Sequence, residues 1–241
     1  MSPRDIKQRC PGTWLIFNEL KNGNIDIYGE YIGSLYGAIL NQSKSLNEDE
    51  TYHYVKNRLE KEYGITLLKP LGWDNTYVLS VRPETAQKYH LRYISDIIPI
   101  ADEMVLGSDM EFAYRKDGLI GLTETYAGLE FKGTKNMDQA LTYQALIDGT
   151  TDINASYSTD ARIETLGLVN LIDDKNFFPP YYVTPVLKMD FAEKNPQVVA
   201  ALEQLENQWT EEDMKHYNLM VDEGQDPRSV AEMMLHDKGL I

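Results

Sequence analysis

Leu20-Lys21-Asn22-Gly23-Asn24-Ile25-Asp26-Ile27-Tyr28-Gly29-Glu30-Tyr31 and Leu146-Ile147-Asp148-Gly149-Thr150-Thr151-Asp152-Ile153-Asn154-Ala155-Ser156-Tyr157 repeat one pattern at a constant offset of 126 residues. Leu, Gly, Asp, Ile and Tyr all recur at that offset. Each copy reads as a helix end, a glycine stop, a short strand and then a loop carrying tyrosine. A chain that uses this unit twice is expected to fold into two similar α/β lobes, each presenting an aromatic side chain near a strand end. Facing one another, two such lobes form a cleft that closes on a ligand.

The 241 residues suffice for one large domain or for two lobes with a core each. The net charge of −15 gives a surface that repels phosphate backbones, which argues against a nucleic-acid partner. Cys10 is the single cysteine, so no internal disulfide and no cysteine metal cluster can form. His53, His90, His216 and His236 form no HxxxH or HxH pair, and neither metal nor cofactor is expected. No stretch reaches the roughly 18 apolar residues of a membrane span. The first ten residues have no apolar core and do not read as a secretory signal. On these residues the chain is either cytoplasmic or has its natural N-terminus outside this sequence.

Periodicity and punctuation predict helices over residues 13–21, 34–42, 47–63, 118–127, 137–147 and 159–166, with another opened by Pro83. Three more follow from Pro196, from the capping box begun by Thr210, and from Pro227. Strands are predicted at 25–28, 65–68, 76–81, 104–107, 131–132, 152–155, 168–171 and 183–187. Residues 109–115 fit helix or strand. The alternation argues an α/β fold with a mostly parallel sheet. The repeat divides it into a discontinuous first lobe, 1–79 plus 187–241, and a second lobe, 80–186. Strands 76–81 and 183–187 are the expected hinge crossings.

Gly72-Trp73-Asp74-Asn75-Thr76-Tyr77 leads into one crossing, and Asp174-Lys175-Asn176-Phe177-Phe178-Pro179-Pro180-Tyr181-Tyr182 into the other. Each places tyrosine just before a crossing strand. With Tyr31 and Tyr157 this makes four tyrosines on segments expected to face one cleft. An aromatic face attracts a cation, with about 0.5–2 kcal/mol per desolvated contact. A quaternary ammonium has no N–H to donate, so an aromatic box suits it. The competing reading is half-buried packing in a chain that holds 16 tyrosines. Arg115 either forks onto a ligand carboxylate or pairs with Asp117 at the surface. Ser34 reads as a helix cap or a ligand contact, and Asp160, its counterpart in the second copy, as a cap. GxSxG, P-loop and GxGxxG patterns are absent, and no enzyme is expected.

The chain resembles the substrate-binding proteins of bacterial ABC importers for glycine betaine, carnitine and choline. The stretches that carry the resemblance begin with Gly23-Asn24-Ile25-Asp26-Ile27-Tyr28, Glu30-Tyr31-Ile32-Gly33-Ser34 and Gly72-Trp73-Asp74-Asn75-Thr76-Tyr77. Arg115-Lys116-Asp117-Gly118, Asn136-Met137-Asp138, Tyr157-Ser158-Thr159-Asp160 and Asp173-Asp174-Lys175-Asn176-Phe177-Phe178-Pro179-Pro180-Tyr181 continue it in the family's order. The resemblance implies a two-lobed, type II periplasmic-binding-protein-like fold with the ligand between the lobes. It implies an aromatic box of Tyr31, Tyr77, Tyr157 and Tyr181, lined also by Ser34 and Arg115. By the same resemblance Arg115 meets the carboxylate of a zwitterion, which favours glycine betaine or carnitine over choline. The implied partner is a membrane permease, and the implied location is extracytoplasmic, at the cell envelope. Ser34 stands where the family usually has threonine. The family's opening strand, helix and next strand, its signal peptide and its lipid-anchor cysteine are not in this sequence. The first lobe is therefore expected to be incomplete, or completed by a second chain in a dimer. The alternative reading is a truncated or sensory relative of this fold that does not support transport.

Overall fold

Helix and strand alternate along the chain, and residues 12–42 and 46–241 are described in a computed structural model. Cys10 lies outside these residues. Helix α1 (Thr13–Lys21), strand β1 (Ile27–Tyr31) and a short helix α2 (Ile32–Ser34) come first, and α2 widens into a π-helical turn over Leu35–Ile39. Helix α3 (Glu48–Tyr63) and strand β2 (Ile65–Leu67) follow. Next come β3 (Tyr77–Val81), α4 (Pro83–Tyr89), a 3-10 stretch (Ile94–Glu103), β4 (Val105–Ser108), α5 (Met110–Tyr114) and α6 (Leu119–Thr125). β5 (Gly133–Asn136), α7 (Gln139–Ile147), β6 (Ile153–Tyr157), α8 (Arg162–Thr165) and β7 (Val169–Leu171) complete that region. β8 (Val183–Lys188) returns, and α9 (Met189–Lys194), α10 (Pro196–Glu203), α11 (Glu211–Asp222) and α12 (Pro227–Asp237) finish the chain.

The sequence repeat is also a structural one. α7 and β6 have the bounds of α1 and β1 raised by 126 at both ends. Both helices stop the same way: Asn22 and Gly23 N–H donate to the carbonyls of Asn18 and Leu20, and Asp148 and Gly149 N–H to those of Gln144 and Leu146. Gly23 (φ 77°) and Gly149 (φ 79°) then adopt the left-handed turn that glycine takes without steric cost. α3 is set by a capping box between Asn47 and Glu50 and buries Tyr52, Val55 and Leu59 along one face. The Thr210–Asp213 box opens α11 as the sequence predicts.

Two sheets result, ordered β1-β8-β2 and β5-β4-β6-β3-β7. They are not mostly parallel. β8 runs antiparallel to β1 and β2, and β3 antiparallel to β6 and β7; β4 alone makes parallel pairs, with β5 and β6. A crossing strand arrives from the other lobe at the edge where the repeat strand ends, so it runs back along that strand. Alternating helices and strands do not reveal this reversal. The boundaries at 79/80 and 186/187 fall inside β3 and β8, whose pairings keep each strand whole within one sheet.

Three local expectations shift. Lys132 N–H donates to the carbonyls of Ala101 and Met104, so residues 131–132 are loop and β5 starts at Gly133. Residues 109–115 are helix rather than strand, because the Asp109 side chain caps α5 through Phe112 N–H. The helix expected over 159–166 shortens to α8, since Asp160 turns its carboxylate onto Arg162 N–H (3.0 Å).

Each sheet carries its own core. Phe17, Leu20, Leu35, Val55, Leu59 and Val186 fill the first, and Leu79, Ile94, Leu106, Phe112, Tyr126 and Ile153 the second. The C-terminal helices build a third cluster on the crossings, where Trp73 meets Trp209 edge-on at 6.3 Å with Tyr217 and Val230. The crossings touch one another: Asp74 bridges Tyr182, and Tyr181 N–H donates to Asp74 Oδ1 at 2.8 Å. Among the described residues, no helix is long and apolar enough to cross a membrane, and no cluster of His, Cys, Asp and Glu could hold a metal ion.

Candidate functional site

Both sheets deliver their tyrosines at the same kind of place. Tyr31 is the last residue of β1 and lies opposite Val183, the first of β8. Tyr157 is the last residue of β6 and lies opposite Tyr77, the first of β3. Tyr181 stands two residues ahead of β8. Tyr31 and Tyr157 are thus strand residues, not loop residues, and the ladder sets their direction. All four line one cavity of about 340 Å3, together with Ser34 and Arg115. The six side chains singled out in the sequence therefore meet in one place. The volume lies at the small end of ligand pockets, which run about 300–1,000 Å3.

Tyr77 is the centre of the aromatic cluster. Its ring centroid is 5.0 Å from Tyr157, 5.5 Å from Tyr181 and 5.0 Å from Phe112. Phe178 adds a further ring at 5.8 Å. The hydroxyls are tethered. Tyr157 donates to Asp109 Oδ2 at 2.6 Å, Tyr181 to Asp117 Oδ2 at 2.7 Å, and Asn75 Nδ2 donates to the Tyr31 hydroxyl at 3.1 Å. Burial pushes the pKa of all four phenols up, so the cluster is neutral at ordinary pH. Tyr77 and Tyr181 are buried, whereas Tyr31 and Tyr157 are half-buried.

Arg115 follows α5. It pairs with Asp117, yet inside the cavity wall, not at the surface. Nε donates to Asp117 Oδ1 at 2.8 Å, Nη2 to Asp117 Oδ2, and Nη2 also to Ser34 Oγ at 3.1 Å. Nη1 points at Glu111 Oε2, 3.5 Å away. Burial opposes the guanidinium charge, but the Asp117 hydrogen bonds outweigh it and raise the Arg115 pKa. Ser34 caps no helix; it sits where α2 passes into the π-helical turn, a departure often found at functional sites. Asp160 binds Arg162 Nη2 at 2.6 Å and is not part of this cavity.

Glycine lets these groups approach. A Cβ on Gly33 would stand 2.6 Å from the Tyr181 ring, and one on Gly37 2.6 Å from the Asp117 carboxyl carbon. Gly33 and Gly37 lie about one turn apart, so one small-residue face of this helix receives both partners. Replacing Gly33 with alanine is expected to push Tyr181 out of place. Overpacking of this kind costs about 1–3 kcal/mol of stability. Affinity for a ligand held by Tyr181 is expected to fall about tenfold. Thermal melting and ligand titration of Gly33→Ala check the two effects, and unchanged affinity would show that Tyr181 is not a contact.

Glu30, Asn75, Asp109 and Glu111 near the site were not singled out in the sequence, and Asp117 was named there only as a surface partner of Arg115. Asn75 ties the lobes, because its Oδ1 accepts from Thr159 Oγ1 at 2.8 Å while its Nδ2 holds Tyr31. Glu30 is 6% exposed, and burial pushes its carboxyl up to about 7 against the lowering effects of Tyr31 N–H and Arg115. A signal for it existed: it is the only charged residue in β1 and adjoins the repeated tyrosine, where the second copy has Ser156.

A family profile described as the substrate binding domain of an ABC-type glycine betaine transport system matches residues 7–236. The carnitine transport binding protein of Listeria monocytogenes is 32% identical over 234 residues, covering 96% of this chain and 76% of that protein. The ergothioneine transport permease/ergothioneine binding protein of Helicobacter pylori is 31% identical over 230 residues, 95% of this chain; the match spans 41% of that protein. A crystal structure of a glycine betaine/carnitine/choline ABC transporter aligns with a TM-score of 0.75 at 29% identity, covering 95% of this chain and 85% of the other.

Proposed function

We propose that this chain, which belongs to the family of substrate binding domains of ABC-type glycine betaine transport systems, captures a quaternary ammonium solute in a cage of Tyr31, Tyr77, Tyr157 and Tyr181. Its fold is that of the type II periplasmic binding proteins, and like its relatives it is a binding protein, not an enzyme. One observation carries the reading. Tyrosines from both copies of the repeat and from both crossings line a single cavity.

The chemistry follows from the aromatic faces. A trimethylammonium group cannot donate a hydrogen bond, so direct N–H recognition is closed to it. Ring quadrupoles attract it from several sides, at about 0.5–2 kcal/mol per contact once water is excluded. The Ser34–Arg115 hydrogen bond joins the two lobes across the cavity, and lobe closure around a ligand would expel that water. The solute is glycine betaine, carnitine, choline or a larger trimethylammonium betaine of the ergothioneine kind. Hand-over to a membrane permease and an extracytoplasmic location complete the reading, supported by the relatives' roles in transport.

The test is isothermal titration of the folded chain with glycine betaine, carnitine, choline and ergothioneine. Saturable one-to-one binding of at least one is expected. If none binds to a sample whose circular dichroism shows native helix and strand, the cage does not capture these solutes.

A further inference from the structure

We infer that the cavity selects a ligand of net positive charge, a trimethylammonium compound without a carboxylate, and that the walled-in carboxylate of Glu30 is the selecting group. The inference rests on the cage reading and names the class of cation within it. A choline-like cationic alcohol is the ligand that fits.

The charges around the cavity support this. Arg115 is the cation among the lining residues, and it is already committed. Both oxygens of Asp117 take its Nε and Nη2, Nη2 also donates to Ser34, and Nη1 makes only a 3.5 Å contact with Glu111. A ligand carboxylate could take the Nε–Nη2 edge of Arg115 only by displacing Asp117, whose side chain is 3% exposed and wedged against Gly37. The expectation that Arg115 grips the carboxylate of a zwitterion is therefore not favoured by this geometry. Around that one cation stand Asp117, Glu111 and Glu30, so the site has a surplus of negative charge.

Among the described residues, no cation forms an ion pair with Glu30; Arg115 acts on it only from a distance. Glu30 lines the cavity, and its hydrogen bond among the described residues comes from Tyr31 N–H to Oε1 at 2.8 Å. Arg115, Glu111 and Asp117 face it from the second lobe, and Tyr28 and Tyr31 belong to its own strand. A buried carboxylate is costly unless something pairs with it. An ammonium held by the tyrosines supplies that partner, and a ligand hydroxyl can donate to it. A ligand carboxylate would be repelled.

The titration sign is fixed by the same geometry. Burial holds the carboxyl near 7 in the empty cavity, so it is largely neutral at pH 6 and largely charged at pH 8.5. A bound cation favours the charged form. Choline affinity therefore rises with pH across this window, and binding near pH 7 releases protons. A zwitterion shows less of either effect, because its carboxylate meets the same negative charge.

The experiment titrates the full chain with choline and glycine betaine at pH 6 and 8.5, in two buffers of different ionisation heat. Choline is expected to bind at least tenfold tighter than glycine betaine at pH 8.5. It should weaken severalfold at pH 6 and release protons near neutrality. In Glu30→Gln its affinity at pH 8.5 falls about tenfold, the pH dependence vanishes, and glycine betaine holds or tightens. The inference is overturned if glycine betaine binds as well as choline, or if Glu30→Gln leaves the ratio of the two unchanged. Should that variant fail to fold, the wild-type ratio and the buffer-dependent heats decide alone. If both ligands bind and glycine betaine is preferred, the cage stands and the selectivity falls. If neither binds, both fall.

Discussion

Replacing Tyr157 with alanine is expected to lower affinity for choline or glycine betaine by about 30-fold and to leave the protein folded. In the proposed cage the removed ring is one wall, directly opposite Tyr77 at the end of the β3–β6 ladder. Losing it removes about 2 kcal/mol of cation–π attraction and lets water reach the ammonium, and each 1.4 kcal/mol is about a tenfold change. Tyr157 is the right position for the test because it is half-buried and at a strand end. Tyr77 is not: it is 5% exposed and belongs to the second core, so its truncation would cost about 3–5 kcal/mol of folding. Tyr157→Phe separates ring from hydroxyl. It retains the aromatic face and loses the 2.6 Å bond to Asp109, so stability should drop by about 1 kcal/mol with affinity within about threefold. Equal titration curves for wild type and Tyr157→Ala would remove Tyr157 from the cage.

The second large effect concerns stability without ligand. Arg115→Ala is expected to destabilise the empty protein by roughly 3–5 kcal/mol, because it strands the Asp117 charge in a buried place. Asp117 would retain the Tyr181 hydroxyl as a donor but lose both donors of the guanidinium. A double variant, Arg115→Ala with Asp117→Ala, removes charge and counter-charge together and should recover part of the loss. Urea unfolding of the two single variants and the double variant measures the coupling. A single Arg115→Ala cost below about 1 kcal/mol would mean the pair is solvated and its geometry loose. Because no ligand is present, the result does not depend on which solute the cage takes.

Legibility in the sequence followed the range of the interactions. The repeat was visible because helix stop, strand and tyrosine are local features: glycine ends α1 and α7 through its own backbone freedom, and the short strands read at 25–28 and 152–155 overlap β1 and β6, which run on to include the tyrosines. The capping box at Thr210 depends on residues three apart and was equally readable. The reversed crossing strands were not, because strand direction depends on a partner about 80 to 160 residues away. Phe131 and Lys132 looked like strand by composition, but the carbonyls of Ala101 and Met104 hold that segment as a loop.

The candidate site divides along the same line. By itself the sequence marked the four tyrosines, through a constant offset and two tyrosine-bearing approaches; Ser34 and Arg115 stayed open between a structural role and a ligand contact, and only the family resemblance set them at the site. The sequence also determined that each tyrosine stands at a strand end or just before one. Only the tertiary structure decided that Asp117 occupies the Arg115 fork, that Asn75 ties Tyr31 to Thr159, and that Glu30 is shut in beside the cage. Local patterns place side chains on elements. Whether a charge is solvated, paired or left alone depends on what distant segments pack against it, and that environment forms only when the lobes come together.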